Sequence, residues 1–146
     1  MDFKVEQGLL NKKGAYALIL KLDRKTVIAV GALGRVTFKA GYYAYVGSAM
    51  AGIKRRIKRY FKPIEKPRWH IDYLLKHAII VGVVVFPSNR KREDVIARRL
   101  ARQFDFVDNF GASDSKLKSH LFYSEQFEKL RDALLKSSKN AVLIEF

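Results

Sequence analysis

The sequence predicts an α+β domain in which helices pack on a mixed, largely antiparallel sheet. Three observations carry this prediction. Short aromatic or β-branched runs alternate with turn residues in the first third of the chain, a helical apolar period begins near Met50, and a continuous apolar run of strand length extends from Ile79 to Phe86. We expect one domain, 1–146, because the length suits a single core and no Gly-, Ser- or Pro-rich linker divides the chain.

Four strands are predicted in the first third of the chain. They are Ala15 to Leu22, Val27 to Val30, Arg35 to Phe38 and Tyr42 to Val46. The segments between them contain charged residues and glycines, which are typical of turns. Short runs broken in this way indicate an antiparallel meander.

The remaining elements follow from changes of period. Apolar residues recur every four residues from Ile53 to Phe61, which predicts the inward face of a first helix over 50–61 that a proline ends. Further helices are predicted from about Arg68 to His77, from Arg90 to Phe104 and, after a Ser124 cap, from Glu125 to Ser137. The other predicted elements are a buried strand from Ile79 to Phe86, a loop from Asp105 to Lys118, a strand from Leu121 to Tyr123 and an edge strand from Ala141 to Phe146.

The charge of the chain is strongly unbalanced. Lys and Arg number 29 and Asp and Glu number 14, so the formal net charge is +15. A compact state with this charge repels itself, and a polyanion would relieve that repulsion by neutralising Lys and Arg. A thermophile surface is the alternative explanation, but such surfaces balance Lys with Glu. The charge therefore favours a nucleic-acid partner.

Several classes are disfavoured by what the sequence lacks. It has no cysteine, which excludes disulfides, thiolate metal sites and cysteine catalysis. No apolar signal region follows Met1, and the longest apolar run, Ala78 to Phe86, is far too short to span a bilayer. A cytoplasmic location is expected, with no membrane partner.

The most informative segment runs from a predicted strand into a basic helix. The strand ends at the turn Gly47-Ser48, and four cations then spread over the outer face of the helix: Lys54, Arg55, Lys58 and Arg59. Arg56 and Tyr60 are neighbours at i,i+4, so Arg56 borders the apolar arc and can lean toward Tyr45. An arginine held against phenols suits a phosphate site. The alternative is a solvated basic face above ordinary core tyrosines.

Several motifs resemble the GIY-YIG nuclease superfamily. Its core motifs are matched by Gly14-Ala15-Tyr16, Tyr45-Val46-Gly47, Arg56 and Tyr60. The stretch from Tyr45 to Phe61 is similar to the N-terminal domain of the excision-repair nuclease UvrC. A branch of unknown function, sometimes fused to endonuclease III-type glycosylases, has signatures similar to Gly41-Tyr42-Tyr43, the segment from Trp69 to Leu75, and the segment from Ser119 to Tyr123.

The resemblance implies a divalent-metal-dependent endonuclease that cleaves phosphodiester bonds in DNA repair or processing. In these nucleases a tyrosine activates or orients water, an arginine stabilises charge on the phosphate, and a glutamate on a later helix binds one metal ion. Carried over, the tyrosines are Tyr16 and Tyr45, the arginine is Arg56, and Tyr60 is the supporting phenol. A phenol needs a nearby cation or metal to act as a base at neutral pH. A catalytic form would use Mg²⁺ or Mn²⁺, and a non-catalytic form would use no cofactor.

Three features depart from the superfamily pattern. The metal-binding glutamate falls on Ala97, and Glu93, one turn earlier on the same side of the helix, is the nearest carboxylate and the candidate metal ligand. The gap between the two tyrosine motifs is long and predicts an extra hairpin. Ser115 and Leu117 stand where the branch often has cysteines. An endonuclease and a non-catalytic nucleic-acid-binding module that has lost its metal ligand are therefore both open.

Other polar residues carry further predictions. A second basic cluster places Arg92, Arg99 and Arg102 on one outer strip, so that two basic helices track two stretches of phosphate backbone. His70 and His77 share a stripe without a carboxylate at ligand spacing, which makes a metal site there a weak alternative. His70 is instead expected to fix the start of its helix, Asp72 to pair with Lys76, and the loop with Ser113, Asp114 and His120 to form a groove wall.

Two familiar catalytic patterns are absent. The segment from Gly47 to Lys54 is not a nucleotide-binding P-loop, because Ile53 and not Lys follows the second glycine, and Arg55 follows Lys54 where Ser or Thr is needed. No G-x-S-x-G turn supports a Ser/His/Asp hydrolase. The predicted partner is nucleic acid, with DNA favoured over RNA by the resemblance, and the sequence identifies no protein partner. An interaction domain without a nucleic-acid partner would leave the net charge of +15 unexplained.

Overall fold

The protein is built on a six-stranded sheet. The structure, a computed structural model, describes Gly8, residues 11–112 and residues 116–146. The strands of the sheet are β1 (Gly14–Leu22), β4 (Gly41–Ala49), β5 (Ile79–Pro87), β6 (Asp105–Phe106), β7 (Leu121–Ser124) and β8 (Val142–Glu145). Their order is β6-β7-β4-β1-β5-β8, and all neighbouring strands are antiparallel. The predicted α+β class and the largely antiparallel sheet are confirmed.

The insertion between β1 and β4 is a separate hairpin. Its strands β2 (Thr26–Ala29) and β3 (Arg35–Phe38) pair with each other in a two-stranded sheet. The extra hairpin is therefore confirmed, but the predicted meander is wrong. Both edges of β1 are already occupied by β4 and β5, so the hairpin buries Ile28 and Phe38 against one face of the large sheet instead of joining it.

In the part of the chain that the structure describes, four helices cover the two faces of the sheet. They are α1 (Ile53–Tyr60), α2 (His70–Leu75), α3 (Glu93–Ala101) and α4 (Phe127–Lys136). One core joins the hairpin, α1 and α2 to the face of β1 that carries Leu18, whereas the other joins α3 and α4 to the face that carries Ile19. This three-layer arrangement follows from the alternation of side chains along a strand.

The predicted helices exist, but their ends differ. α1 ends at Tyr60, so Phe61 is not an inward residue, is 37% exposed and packs edge-on against Phe146. Ser124 is the last residue of β7, and its hydroxyl accepts a hydrogen bond from the backbone N–H of Gln126 before α4 begins at Phe127. Side-chain hydrogen bonds of this kind cannot be distinguished from helix caps by sequence spacing.

The apolar run from residue 79 onward forms β5, between β1 and the edge strand β8. Val83, Val84 and Val85 are fully buried because both faces of this strand are covered, whereas Ile79 is exposed at its start. The predicted loop over 105–118 also contains the two-residue strand β6. No helix in the described residues is long and apolar enough to cross a membrane.

Candidate active site

A cavity of about 330 Å³ lies at the end of β4. β7 pairs with β4 only as far as Tyr45 and Leu121, so β4 continues beyond its neighbour toward Ala49. Helices from both faces of the sheet reach this free stretch of strand. We call the side with Tyr45, Arg56 and Trp69 the α1 wall, and the side with Ser48, Glu93 and His120 the α3 wall.

The register of the sheet builds the α1 wall. Tyr16 pairs with Gly47 across β1 and β4, and the phenol of Tyr16 occupies the space that a Cβ at residue 47 would need. Behind the cavity, the hydroxyl of Tyr16 is hydrogen-bonded to the hydroxyl of Tyr60 from α1. Both phenols are buried, so a glycine at position 47 is what allows them to reach the strand end.

Arg56 lies between these phenols and the cavity. Its guanidinium interacts with Tyr16 and Tyr60, and its Cζ lies 4.7 Å from the centre of the Trp69 ring. No ion pair joins Arg56 to a carboxylate in the part of the chain that the structure describes. A fixed guanidinium without an acidic partner is available to an anion.

The phenols of the site are neutral at physiological pH. Burial raises the pKa of Tyr16 well above its ordinary value, and the neighbouring Tyr60 and Tyr45 raise it further. Burial also raises the pKa values of Tyr45 and Tyr60, and Arg56 offsets only part of the increase. These side chains therefore suit hydrogen bonding and the orientation of water better than proton abstraction.

Arg59, predicted on the outer face, is turned inward. Both of its terminal nitrogens donate to Asp72, at 2.9 and 2.8 Å, and its Cζ lies 4.1 Å from the Trp69 ring centre. Asp72 is fully buried and also accepts the backbone N–H groups of Arg68 and Trp69. The predicted pairing of Asp72 with Lys76 is therefore wrong, because a carboxylate at the third position of α2 faces the start of that helix.

His70 connects α2 to the loop beside the cavity. Its Nδ1 accepts the backbone N–H of Gly111 at 2.8 Å, and burial lowers its pKa, so the ring is neutral at physiological pH. Gly111 has a φ of 65° and lies against the Tyr45 ring, which makes a side chain there unfavourable. His70 lies at the start of its helix as predicted, whereas His77 does not line the cavity.

The α3 wall contains the predicted metal ligand. Glu93 is the first residue of α3 and lines the cavity, and its Oε2 is buried without a hydrogen-bond partner. Ala97 is fully buried in the core beneath the same helix. Among the described residues, no group of three or more His, Cys, Asp or Glu side chains is arranged to hold a metal. Of the loop predicted to form a groove wall, His120 lines the cavity, whereas Ser113 and Asp114, together with the neighbouring Ser115, lie outside the described residues.

The other predicted basic residues lie away from the cavity lining. Arg55 and Lys58 are exposed on α1, and Lys54 is half-buried. The strip of α3 is exposed at all three predicted positions, which are Arg92, Arg99 and Arg102. Because α1 and α3 cover opposite faces of the sheet, the two basic surfaces lie on opposite faces of the protein.

A larger groove of about 690 Å³ lies beside β6, but it contains only Arg102 of the predicted site residues. Three predicted site residues, Tyr45, Arg56 and Glu93, line the smaller cavity. Trp69 and Ser48 also line that cavity, and the sequence predicted no role in the site for either of them. The position of Trp69 between Arg68 and His70, as the single tryptophan of a basic chain, is the signal that marks it.

The matched family covers both walls of the cavity. A family model described as domain of unknown function DUF123 matches residues 15–143. The chain matches no curated protein and no solved structure. Because the matched segment spans most of the sequence, the chain belongs to the family described as domain of unknown function DUF123.

Proposed function

We propose that this protein is a GIY-YIG-like phosphodiesterase that cleaves DNA with the help of a divalent metal, in repair or processing. The observation that carries the proposal is Arg56, a guanidinium without a carboxylate partner that is held against two phenols and a tryptophan at the cavity. A positioned arginine stabilises the charge that develops on a phosphate during hydrolysis. The net charge of +15 supports a polyanionic substrate.

The residues of the α1 wall have distinct parts in this reaction. Arg56 binds non-bridging oxygens of the scissile phosphate and binds them more strongly as their charge increases. Tyr45 lines the cavity and, as a neutral phenol, orients the attacking water. Tyr16 and Tyr60 do not line the cavity, and they act by holding Arg56 in place. Arg59 and Asp72 hold Trp69 and the start of α2 behind it.

The residues present fit a divalent metal. Glu93 offers a buried carboxylate oxygen that has no hydrogen-bond partner and lines the same cavity as Arg56. Mg²⁺ is bound by as few as one or two carboxylates together with waters and substrate phosphates. Bound there, Mg²⁺ or Mn²⁺ would supply a second positive charge to the phosphate and to its leaving group. Glu93 would hold that charge opposite Arg56.

The exposed cations bind the substrate away from the scissile bond. Arg55 and Lys58 on α1 and the α3 strip of Arg92, Arg99 and Arg102 are exposed on opposite faces of the sheet. Contacts of this kind are with phosphates, so binding is expected to weaken steeply as salt concentration rises. A titration that shows affinity independent of salt would contradict this assignment.

Cleavage assays on single-stranded, duplex and branched DNA, with Mg²⁺ or Mn²⁺, test the proposal. We expect Arg56→Ala to lower the cleavage rate by roughly 100- to 1000-fold, the usual loss when one transition-state donor is removed. Arg99→Ala is the matched control, because it removes an exposed arginine outside the cavity and should lower only affinity, by a small factor. DNA binding measured on the same proteins separates the two effects.

Two outcomes would contradict the proposal. One is no cleavage by the parent protein on any of the three substrates with either metal. The other is equal cleavage by the parent protein and by Arg56→Ala, which would identify the activity as a contaminant. Equal losses of binding and cleavage in Arg56→Ala would restrict Arg56 to ground-state phosphate binding.

A non-catalytic DNA-binding module is the second candidate. The observation that favours it is Ala97, which is fully buried in the core at the position where the resemblance expects the metal-binding glutamate. In that case the protein would bind DNA in a salt-dependent manner without cleaving it, and neither metal would affect affinity. The cleavage assays above separate this candidate from the nuclease.

A further inference from the structure

Three buried side-chain polar atoms without a hydrogen-bond partner are found in the described residues, and all three belong to residues that line one cavity. They are Ser48 Oγ, Glu93 Oε2 and His120 Nε2, the polar atoms of the α3 wall. Leaving a buried polar atom without a partner costs stability, and native proteins keep few such atoms. Their concentration on one wall indicates that they share a ligand.

Three separate parts of the fold carry these atoms to the same cavity. Ser48 lies on the free end of β4, on the same side of the strand as Ala44 and Val46, which are buried in the core beneath α3 and α4. Glu93 begins α3, and His120 precedes β7. The backbone N–H of Val46 donates to the carbonyl of His120, so the histidine is fixed beside the strand end.

The hydrogen bond of His120 determines which nitrogen is available. Its Nδ1 lies 3.3 Å from the carbonyl oxygen of Val46, which can only accept, so in the neutral form of the ring this contact places the proton on Nδ1 and the lone pair on Nε2. Metal-binding histidines are commonly held in this way by a backbone carbonyl. Only about 5% of His120 is exposed, so its orientation is fixed by packing as well.

Asp94 offers a competing explanation for His120. Its Oδ1 lies 3.5 Å from Nε2, which is an ion pair if the histidine is protonated but is too long for a good hydrogen bond. Such a pair would explain neither Ser48 nor Glu93. A ligand that accepts electron pairs from a hydroxyl oxygen, a carboxylate oxygen and an imidazole nitrogen explains all three atoms together.

We propose that Ser48, Glu93 and His120 jointly bind one divalent cation and that this site prefers Mn²⁺ to Mg²⁺. The inference rests on the proposed function, because it names the residues that hold the metal of that site. Mg²⁺ favours oxygen donors and near-ideal octahedral geometry, whereas an imidazole suits the transition metals better. A serine among the three donors explains why no cluster of acidic, histidine or cysteine side chains marks the site among the described residues.

Mn²⁺ titration of the metal-free full chain, followed by electron paramagnetic resonance, tests the proposal directly. Glu93→Gln and His120→Asn should each weaken Mn²⁺ binding by roughly tenfold or more. The matched controls His77→Asn and Glu128→Gln change an exposed histidine and an exposed glutamate outside the cavity and should leave binding unchanged. Mg²⁺ should displace Mn²⁺ only at roughly tenfold higher concentration or above.

A second measurement uses the unaltered protein and so does not depend on whether the variants fold. Electron-spin-echo modulation of the bound Mn²⁺ should show coupling to a directly bound imidazole nitrogen. The proposal is overturned if the unaltered chain binds no Mn²⁺, if bound Mn²⁺ shows no nitrogen coupling, or if a folded His120→Asn variant binds Mn²⁺ as tightly as the parent.

The two proposals fail in different ways. Metal-dependent DNA cleavage that is the same in the parent and in His120→Asn would overturn this site and leave the nuclease standing. Mn²⁺ binding that both variants lose, in a protein that cleaves no DNA, would support this site and overturn the nuclease.

Discussion

The two walls of the cavity differ in how far their polar groups are already satisfied. On the α1 side, Arg59 is bonded to Asp72, the two buried phenols are bonded to each other, and Arg56 is packed on Trp69. On the α3 wall, Ser48, Glu93 and His120 each keep one buried atom without a hydrogen-bond partner. The polar groups of the α1 side are paired or packed within the protein, whereas three buried atoms of the α3 wall have no partner within it.

This difference separates two ways of holding charge. A guanidinium that is fixed by packing needs little reorganisation when charge develops nearby, which is the basis of electrostatic catalysis. Donor atoms that are kept without partners lower the stability of the free protein but recover that loss on binding. The comparison predicts that mutations in the two walls change the stability of the metal-free protein with opposite signs.

The largest stability effect is expected on the α1 side. Asp72→Asn removes the charge that neutralises Arg59 and weakens four hydrogen bonds at a fully buried position. Loss of one partner from a buried ion pair costs about 3 kcal/mol. Urea unfolding should show this loss, and Asp23→Asn, which affects an exposed pair with Lys21, should change stability by less than about 1 kcal/mol. Equal effects would mean that Asp72 contributes no more than a surface carboxylate.

Acid titration sharpens the same point. Burial alone would raise the pKa of Asp72, but the hydrogen bonds from Arg59, Arg68 and Trp69 outweigh it and hold the pKa below its ordinary value. Because the pKa is lower in the folded state, the carboxylate stabilises the fold above its unfolded pKa of about 3.9 and loses that contribution as pH falls through the folded value. The stability difference between the parent and Asp72→Asn should be constant from about pH 7 to 5 and should shrink below about pH 4. A difference that persists to the lowest pH would show that packing and not charge is responsible.

The smallest effect, with the opposite sign, is expected on the α3 wall. Ser48→Ala removes a buried hydroxyl that has no partner, so the metal-free protein should be unchanged or more stable by about 1 kcal/mol. Ser119→Ala is the matched control, because the hydroxyl of Ser119 both accepts from and donates to the backbone of Leu121. Its loss should lower the free energy of unfolding by about 1 kcal/mol. Thermal unfolding in the presence of a chelator compares the two. A clear loss in Ser48→Ala would reveal a partner for that hydroxyl.

Much of the fold can be predicted from the sequence because it depends on local pattern. The helical period after Met50 predicts α1, and the apolar run from Ile79 predicts β5. The turn residues near Gly31 and Gly41 predict where the neighbouring strands are separated. The pairing of strands was not predictable in this way. Whether β2 and β3 join the main sheet depends on β4 and β5 having already occupied β1, which is a property of the whole chain.

The α1 wall was predictable as a group of residues, whereas on the α3 wall only Glu93 and His120 were predicted, one by one. Arg56 and Tyr60 are neighbours on a helix, so their spacing places them together, and the resemblance adds Tyr16 and Tyr45. Asp72 was predicted to pair with Lys76 because neighbours at i,i+4 can be found from the sequence. Its actual partner, Arg59, lies thirteen residues away on another helix, and sequence spacing does not indicate that pairing. His120 and Ser48 line the same cavity because β7 lies beside β4, so no local spacing connects them.

The length of β7 has a consequence for the whole site. This strand has four residues, and after one more backbone bond between His120 and Val46 the chain turns away at Ser119, whose hydroxyl bonds to Leu121. Two more residues of pairing would run a second main chain along Gly47 and Ser48 and close the space between the walls. The space between the walls therefore depends on where a neighbouring strand stops, and a longer β7 would narrow that space without substituting any residue that lines it.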